Sequence, residues 1–212
     1  MDTTASSAER SNDTAKGNGT STVLGRLSPS ITKMIRLDHS HVMVTSHKYT
    51  ADASPGKKKA IVNSVCLALE IHAQLEEEIF YPALREVDSG NEVLKKAQPE
   101  HDEMRRLIDK LRGMQAGDAN CDEAFAELMR TVIHHVADEE TVLLPAAERL
   151  LKGRLCELGA QMTKRRLQLA APHAGEIAMN SARTMPAGTM LVAGGLLAGA
   201  YLLGRGAINR RH

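Results

Sequence analysis

Residues Ala68–Leu84 read ALEIHAQLEEEIFYPAL, and the pattern returns in degraded form at Thr131–Ala147, TVIHHVADEETVLLPAA. With His72 laid on His135 the offset is 63 residues (135 − 72), and Glu76 meets Glu139, Glu77 meets Glu140 and Pro82 meets Pro145. The shared pattern is H-x-x-x-E-E-x-x-x-x-P. A His and a Glu four apart lie one turn apart on one face of a helix. Imidazole and carboxylate are both metal-ligand types, and first-row metals such as iron accept the mixture. A surface ion pair at helical spacing explains one such pair more easily than two in register.

A second repeat runs alongside the first. His39 precedes His72 by 33 residues (72 − 39), and His101 precedes His135 by 34 (135 − 101). At ~1.5 Å rise per residue, that distance is a helix, a turn and part of a second helix. Each half is therefore expected to be an antiparallel helix pair, with a lone His facing H-x-x-x-E. Two such hairpins packed together give a four-helix bundle with four His and two Glu pointing inward. His39, His72, Glu76, His101, His135 and Glu139 are the candidate metal ligands.

The rest of the chain fits an all-α protein. Phe, Tyr and Trp number 2, 3 and 0 in 212 residues, and strand formers show no sustained alternation. A net charge of +1 gives no electrostatic case for a nucleic-acid partner. Cys66, Cys121 and Cys156 form no CxxC pair and no disulfide framework. With no secretory h-region at the N-terminus, the cytoplasm is the expected compartment.

Residues 1–27 are rich in Ser, Thr, Asn, Asp and Gly and read as a disordered tail. Ser28-Pro29 reads as the cap and first residue of a helix running to about Thr50. His39 lies on its apolar stripe, while His41 faces away. Ser54-Pro55 repeats the start signal. In the second helix Ile61, Val65, Leu69, His72, Glu76 and Ile79 share a face, Glu77 and Glu78 fall off it, and Pro82 is expected to kink or end the helix. Asp88-Ser89-Gly90 closes the first hairpin. A third helix starts at Asn91 and is kinked or restarted at Pro99. A loop spans Gly113–Asn120, and a fourth helix runs from about Asp122 to Leu151. There His134 and Asp138 form a competing register four apart, but the apolar stripe and the repeat select His135 and Glu139. The bundle is thus expected over 28–152.

Residues 153–186 read as an amphipathic basic helix ended by Pro172, followed by a linker. No charge stands between Arg183 and Arg205, and Met190–Leu203 reads MLVAGGLLAGAYLL. Residues 187–204, with Gly195-xxx-Gly199, are expected to form a helix in a membrane or against another copy of the chain.

The order H…HxxxE…H…HxxxE, with DHSH, EIHAQLEEEIFYPAL, PEHDEM and HHVADEETVLLPA, resembles the bacterial hemerythrin-like HHE cation-binding domain over about residues 29–152. The resemblance implies an up-down antiparallel four-helix bundle, with further helices after it, around a carboxylate-bridged di-iron centre. The family's ligands fall on His39, His72, Glu76, His101, His135 and Glu139. Two iron ions are the implied cofactor, and Mn or Zn fits the same ligand types. The chain departs from the oxygen-carrying hemerythrins at Arg105, where they place a second His, and at Glu139, one residue before their Asp position. Fewer imidazoles imply a coordination position open to O2, NO or peroxide. The implied function is binding or sensing O2 or NO, or handling iron under oxidative stress. The alternative is an enzyme that reduces peroxide or oxidises Fe(II), with Tyr81 as a redox partner or as a packing residue.

Overall fold

The computed structural model describes residues 28–184, apart from 116 and 119. Serine and asparagine caps set where its rods begin. Ser30 Oγ accepts from the Lys33 N–H at 3.3 Å and opens α1, Ile31–Ser46. The cap is thus Ser30, not Ser28, and Pro29 stands before the helix instead of on its first turn. The helix also stops four residues short of Thr50. At α2, Pro55–Leu75, the expected signal is met: Ser54 Oγ accepts from Lys57 N–H and Pro55 opens the first turn. Asn91 Oδ1 accepts from the N–H groups of Val93 and Leu94 at the start of α4, Glu92–Gly113.

Two prolines shape the second and fourth rods without ending them. After α2 the chain passes through a π-turn, Glu76–Phe80, into α3, Tyr81–Val87. After α5, Cys121–Asp138, it passes through a second π-turn, Glu139–Leu143, into α6, Leu144–Leu150. Tyr81 N–H reaches back to Glu76 O, and Leu144 N–H to Glu139 O, each five residues away. A proline one residue later has no N–H and would press on the carbonyl four back. The wider turn relieves that contact, and the rod goes on. Pro99 is carried inside α4.

The fold is all-α, with α1, α2–α3, α4 and α5–α6 as the four rods of a hemerythrin-like bundle. Within each half the two rods pack on one another, α1 on α2 and α4 on α5. The core falls into two apolar clusters. One holds Ile31, Ile35, Leu75, Phe80, Leu84 and Leu144. The other holds Ile61, Val65, Leu107, Ile108, Leu111 and Leu128. In every rod the candidate histidine falls between a stretch from one cluster and a stretch from the other.

The C-terminal region adds two helices. The basic helix expected from residue 154 is α7, Leu155–Ala170, packed across α1 and α2. Pro172 does not hand over to a linker. It sits in a single 3-10 turn, Ala171–His173, where its missing N–H costs little, and α8 follows over Ala174–Thr184, packed on α2. Among the described residues no helix is long and apolar enough to cross a membrane. The expected tail 1–27 and the apolar run 187–204 lie outside the described residues.

Gly159 lets α7 approach closely. A Cβ built there would stand 1.9 Å from Pro29 O, a backbone atom that cannot step aside alone. Gly159→Ala is therefore expected to cost about 1–3 kcal/mol, the usual range for overpacking. Gly153→Ala, with nothing within 4 Å of its Cβ position, serves as control. Thermal midpoints of the two variants check this; equal midpoints would show that α7 does not press on the start of α1.

Candidate metal centre

Each rod delivers its polar residues to one level. α1 carries His39, α2 His72, α4 His101 and α5 His135, while Glu76 and Glu139 are the first residues of the two π-turns. All six are buried, and Glu76, His101 and Glu139 have no exposed surface. Six such groups in an apolar core are costly unless each finds a partner.

The Nε2 atoms of the four histidines converge. His39 Nε2 lies 3.1 Å from Glu139 Oε2, and His135 Nε2 lies 3.6 Å from the same oxygen. Glu76 Oε2 stands 3.3 Å from His72 Nε2 and 3.4 Å from His101 Nε2. His101 Nε2 and His135 Nε2 approach to 3.1 Å. Donor atoms of His39, His72, Glu76 and Glu139 lie within 4.8 Å of one another, as do those of Glu76, His101 and His135, so Glu76 belongs to both groups.

Outside this ring a carboxylate meets every Nδ1. His39 faces Glu140 at 2.9 Å and His72 faces Asp38 at 3.4 Å. His101 faces Glu77 and His135 faces Glu100, both at 2.8 Å. A carboxylate on Nδ1 selects the tautomer that donates outward and turns the Nε2 lone pair inward. The arrangement repeats across the two halves. Asp38 on α1 holds a histidine of α2 as Glu100 on α4 holds one of α5; Glu77 and Glu140, each one residue after a central Glu, hold the histidines of α4 and α1. Three of the four carboxylates are gripped by arginine: Glu140 by Arg36, Glu77 by Arg105, and Asp38 by both Nη atoms of Arg166.

The inner face is then made of lone pairs and carboxylate oxygens. Tyr81, which reaches into the centre, supplies a proton: its hydroxyl donates to Glu139 Oε1 at 2.8 Å and lies 3.2 Å from Glu76 Oε2. His72 Nε2 and Glu76 Oε1 are buried with no hydrogen-bond partner. Acceptors packed this closely, with two left over, fit cations between them.

All six residues singled out by the repeat therefore come together. His41, His47 and His134 are exposed and stand apart from them. The competing pair His134 and Asp138 gathers with Glu100 at the surface, their donor atoms again within 4.8 Å. Sequence reasoning missed Asp38 and Glu100 and left Glu77 between support and solvent. The missing signal was in the repeat: an acid stands directly before each lone His, in Asp38-His39 and in Glu100-His101. Arg105, at the position where the oxygen carriers have a histidine, anchors Glu77 instead.

Comparison with known proteins agrees with this architecture. The family described as Hemerythrin HHE cation binding domain matches residues 30–147, more than half of the chain, and the chain belongs to it. A solved hemerythrin HHE cation binding domain-containing protein from Mycobacterium kansasii superposes with a TM-score of 0.60 at 17% identity, over 74% of this chain and 99% of that one. Among curated proteins, a DNA nickase from Nostoc sp. is 26% identical over 128 residues, 60% of this chain. The matched part is only 36% of that relative's length.

The protein groups alone settle their protons in a way that can be measured. Burial works against a charge on His39, but the hydrogen bond and charge of Glu139, with Glu76 and Glu140, outweigh it and push its pKa up to about 9. Burial likewise opposes ionisation of Glu139, and His39, His135 and His72 overcome it, bringing it down to about 2. Glu76 is pushed well above its usual value by burial and then by Glu139. Burial lowers His72 and His135. The signs follow by linkage. The raised His39 stabilises the fold below 6.5, and this is lost as pH rises through about 9. The raised Glu76 costs stability as pH rises above 4.5, where the unfolded carboxyl ionises and the folded one keeps its proton. The depressed His72 and His135 cost stability as pH falls below 6.5, and the contribution of Glu139 is lost as pH falls from 4.5 toward about 2. Chelator-treated protein is therefore expected to have a lower thermal midpoint at pH 9 than at pH 6.5; a midpoint that rises between the two would contradict this charge assignment.

Proposed function

We propose that this hemerythrin HHE-domain protein holds two iron ions on His39, His72, Glu76, His101, His135 and Glu139, and uses them to bind or sense a small diatomic ligand, O2 or NO, or to handle iron under oxidative stress. The observation that carries the reading is the pair of buried donor groups that share Glu76, with His72 Nε2 and Glu76 Oε1 left without partners. One group offers two imidazoles and two carboxylates, the other two imidazoles and the shared carboxylate. Such donors suit iron, and Mn or Zn as well. Iron supplies reversible redox chemistry and affinity for diatomic ligands.

The surroundings support a small ligand. Beside the four histidines lies a cavity of about 10 Å3, walled by Val42, Leu69, Met104, Ile108 and Val132. A single water needs roughly that much space, so the cavity admits little more than a diatomic molecule. Its apolar walls favour a neutral guest. The nicking activity of the Nostoc relative is not carried over, since the match leaves most of that protein uncovered.

A specific observation favours one second reading, an enzyme that reduces peroxide or oxidises Fe(II). The Tyr81 hydroxyl, buried and hydrogen-bonded to Glu139 beside Glu76, can give up a proton or an electron inside the centre.

Elemental analysis of protein reconstituted with Fe(II) is expected to give two iron ions per chain. His72→Ala and His135→Ala are expected to lose at least one of them, and His41→Ala and His47→Ala neither. Less than one ion per chain in the wild type overturns the proposal. The two readings part on turnover. A binding module consumes no more peroxide than its own iron can reduce; sustained consumption that Tyr81→Phe slows tenfold or more establishes the enzyme.

A further inference from the structure

Helices α7 and α8 lie beyond the residues matched by the family, and the proposed centre does not account for α8. Together with α1 and α2 they line a partly open cavity of about 360 Å3 that meets the small one inside the bundle at Asp38 and His72. Concave sites for small molecules start at roughly 300 Å3. Its apolar walls include Leu67 and Ile71 of α2 and Ile177 of α8.

Two of its buried nitrogen donors have one property in common, while the hydroxyls of Ser64 and Thr184 are satisfied by backbone carbonyls. Asn180 lines the cavity, is 3% exposed, and has no acceptor for its Nδ2 among the described residues. Arg166 lines it too, and its buried Nε has no acceptor either. Lys48, exposed in the turn after α1, carries an ammonium that pairs with no carboxylate among the described residues. The carboxylate in the wall, Asp38, is already taken by both Nη atoms of Arg166. Buried donors without acceptors are rare in folded proteins. Here they sit beside apolar walls and an unneutralised cation. The missing component is an acceptor, best an anionic one, carried on an apolar body.

We propose that this cavity is a binding site for a small amphiphilic carboxylate. Its head accepts from Asn180 and Arg166 and pairs with Lys48, and its chain lies on Leu67, Ile71 and Ile177. The site does not depend on the identity of the ions in the bundle, so it stands or falls apart from the iron reading.

Calorimetric titration of the full chain with decanoate, below its micellar concentration, tests this. Saturable binding of one decanoate per chain is expected, with decanol about tenfold weaker or more for want of the charge. Lys48→Glu, an exposed change, should weaken decanoate about five- to tenfold at an unchanged thermal midpoint, the scale of reversing one exposed charge pair. Ile177→Asp should abolish binding. Decanol as tight as decanoate, or Lys48→Glu without effect, overturns the proposal. So does the absence of saturable binding, which is also the result if the apolar run after Thr184 fills the cavity itself.

Discussion

The structure turns on one electrostatic constraint: four imidazoles and two carboxylates are brought to one level of an apolar core with their Nε2 and carboxylate oxygen atoms facing each other. Nothing in the bundle neutralises them fully. Tyr81 supplies a single hydroxyl proton, and His39 must itself hold a proton against the cost of burial. Two carboxylates so close cannot both ionise cheaply, which is why Glu76 and Glu139 are driven in opposite directions. A purely structural bundle would gain by replacing such a layer with well-packed apolar side chains. That this chain keeps the layer is best understood if cations complete it.

Orientation is the second part of the design. An inward lone pair on each histidine requires an outward proton, and the outer carboxylates hold that proton in place. They stand on neighbouring rods, so each His–carboxylate pair also ties two rods together: Asp38 ties α1 to α2, Glu100 α4 to α5, Glu77 α2 to α4, and Glu140 α5 to α1. The same four contacts that aim the imidazoles close the bundle into a ring. The π-turns serve this geometry. Each begins at a central Glu and continues with a residue that reaches the next rod, so one local widening presents Glu76 inward and Glu77 sideways, and likewise Glu139 and Glu140.

Much of this was legible in the chain. Helix type followed from the apolar stripes, and the bundle from the doubled spacing of His39 to His72 and His101 to His135. The six central residues followed because groups that meet inside a bundle must lie on the buried face, and burial has a period. What sequence could not give has physical reasons. Pro82 read as a kink or an end, because periodicity carries no trace of a π-turn that absorbs the missing N–H. Ser28 and Ser30 are both capping residues, and only the hydroxyl's reach to Lys33 decides between them. Asp38 and Glu100 sit one residue off the inner stripe. A rule that looks for ligands on one face passes over the carboxylates that hold those ligands from the next rod.

The ring of arginines shows where the bundle ends and the additional helices take over. Arg36 and Arg105 belong to the bundle rods and secure Glu140 and Glu77 from within. Asp38 has no such partner on its own rods; it is secured by Arg166 of α7. The orientation of His72 thus rests on a helix outside the family match. That helix can sit close enough only because Gly159 lets its backbone press on Pro29, at the very start of the rod that carries Asp38 and His39. One missing side chain on α7 therefore supports, through Arg166 and Asp38, the aim of a histidine in the centre, and α7 is better regarded as a fifth wall of the site than as an appendage to the bundle.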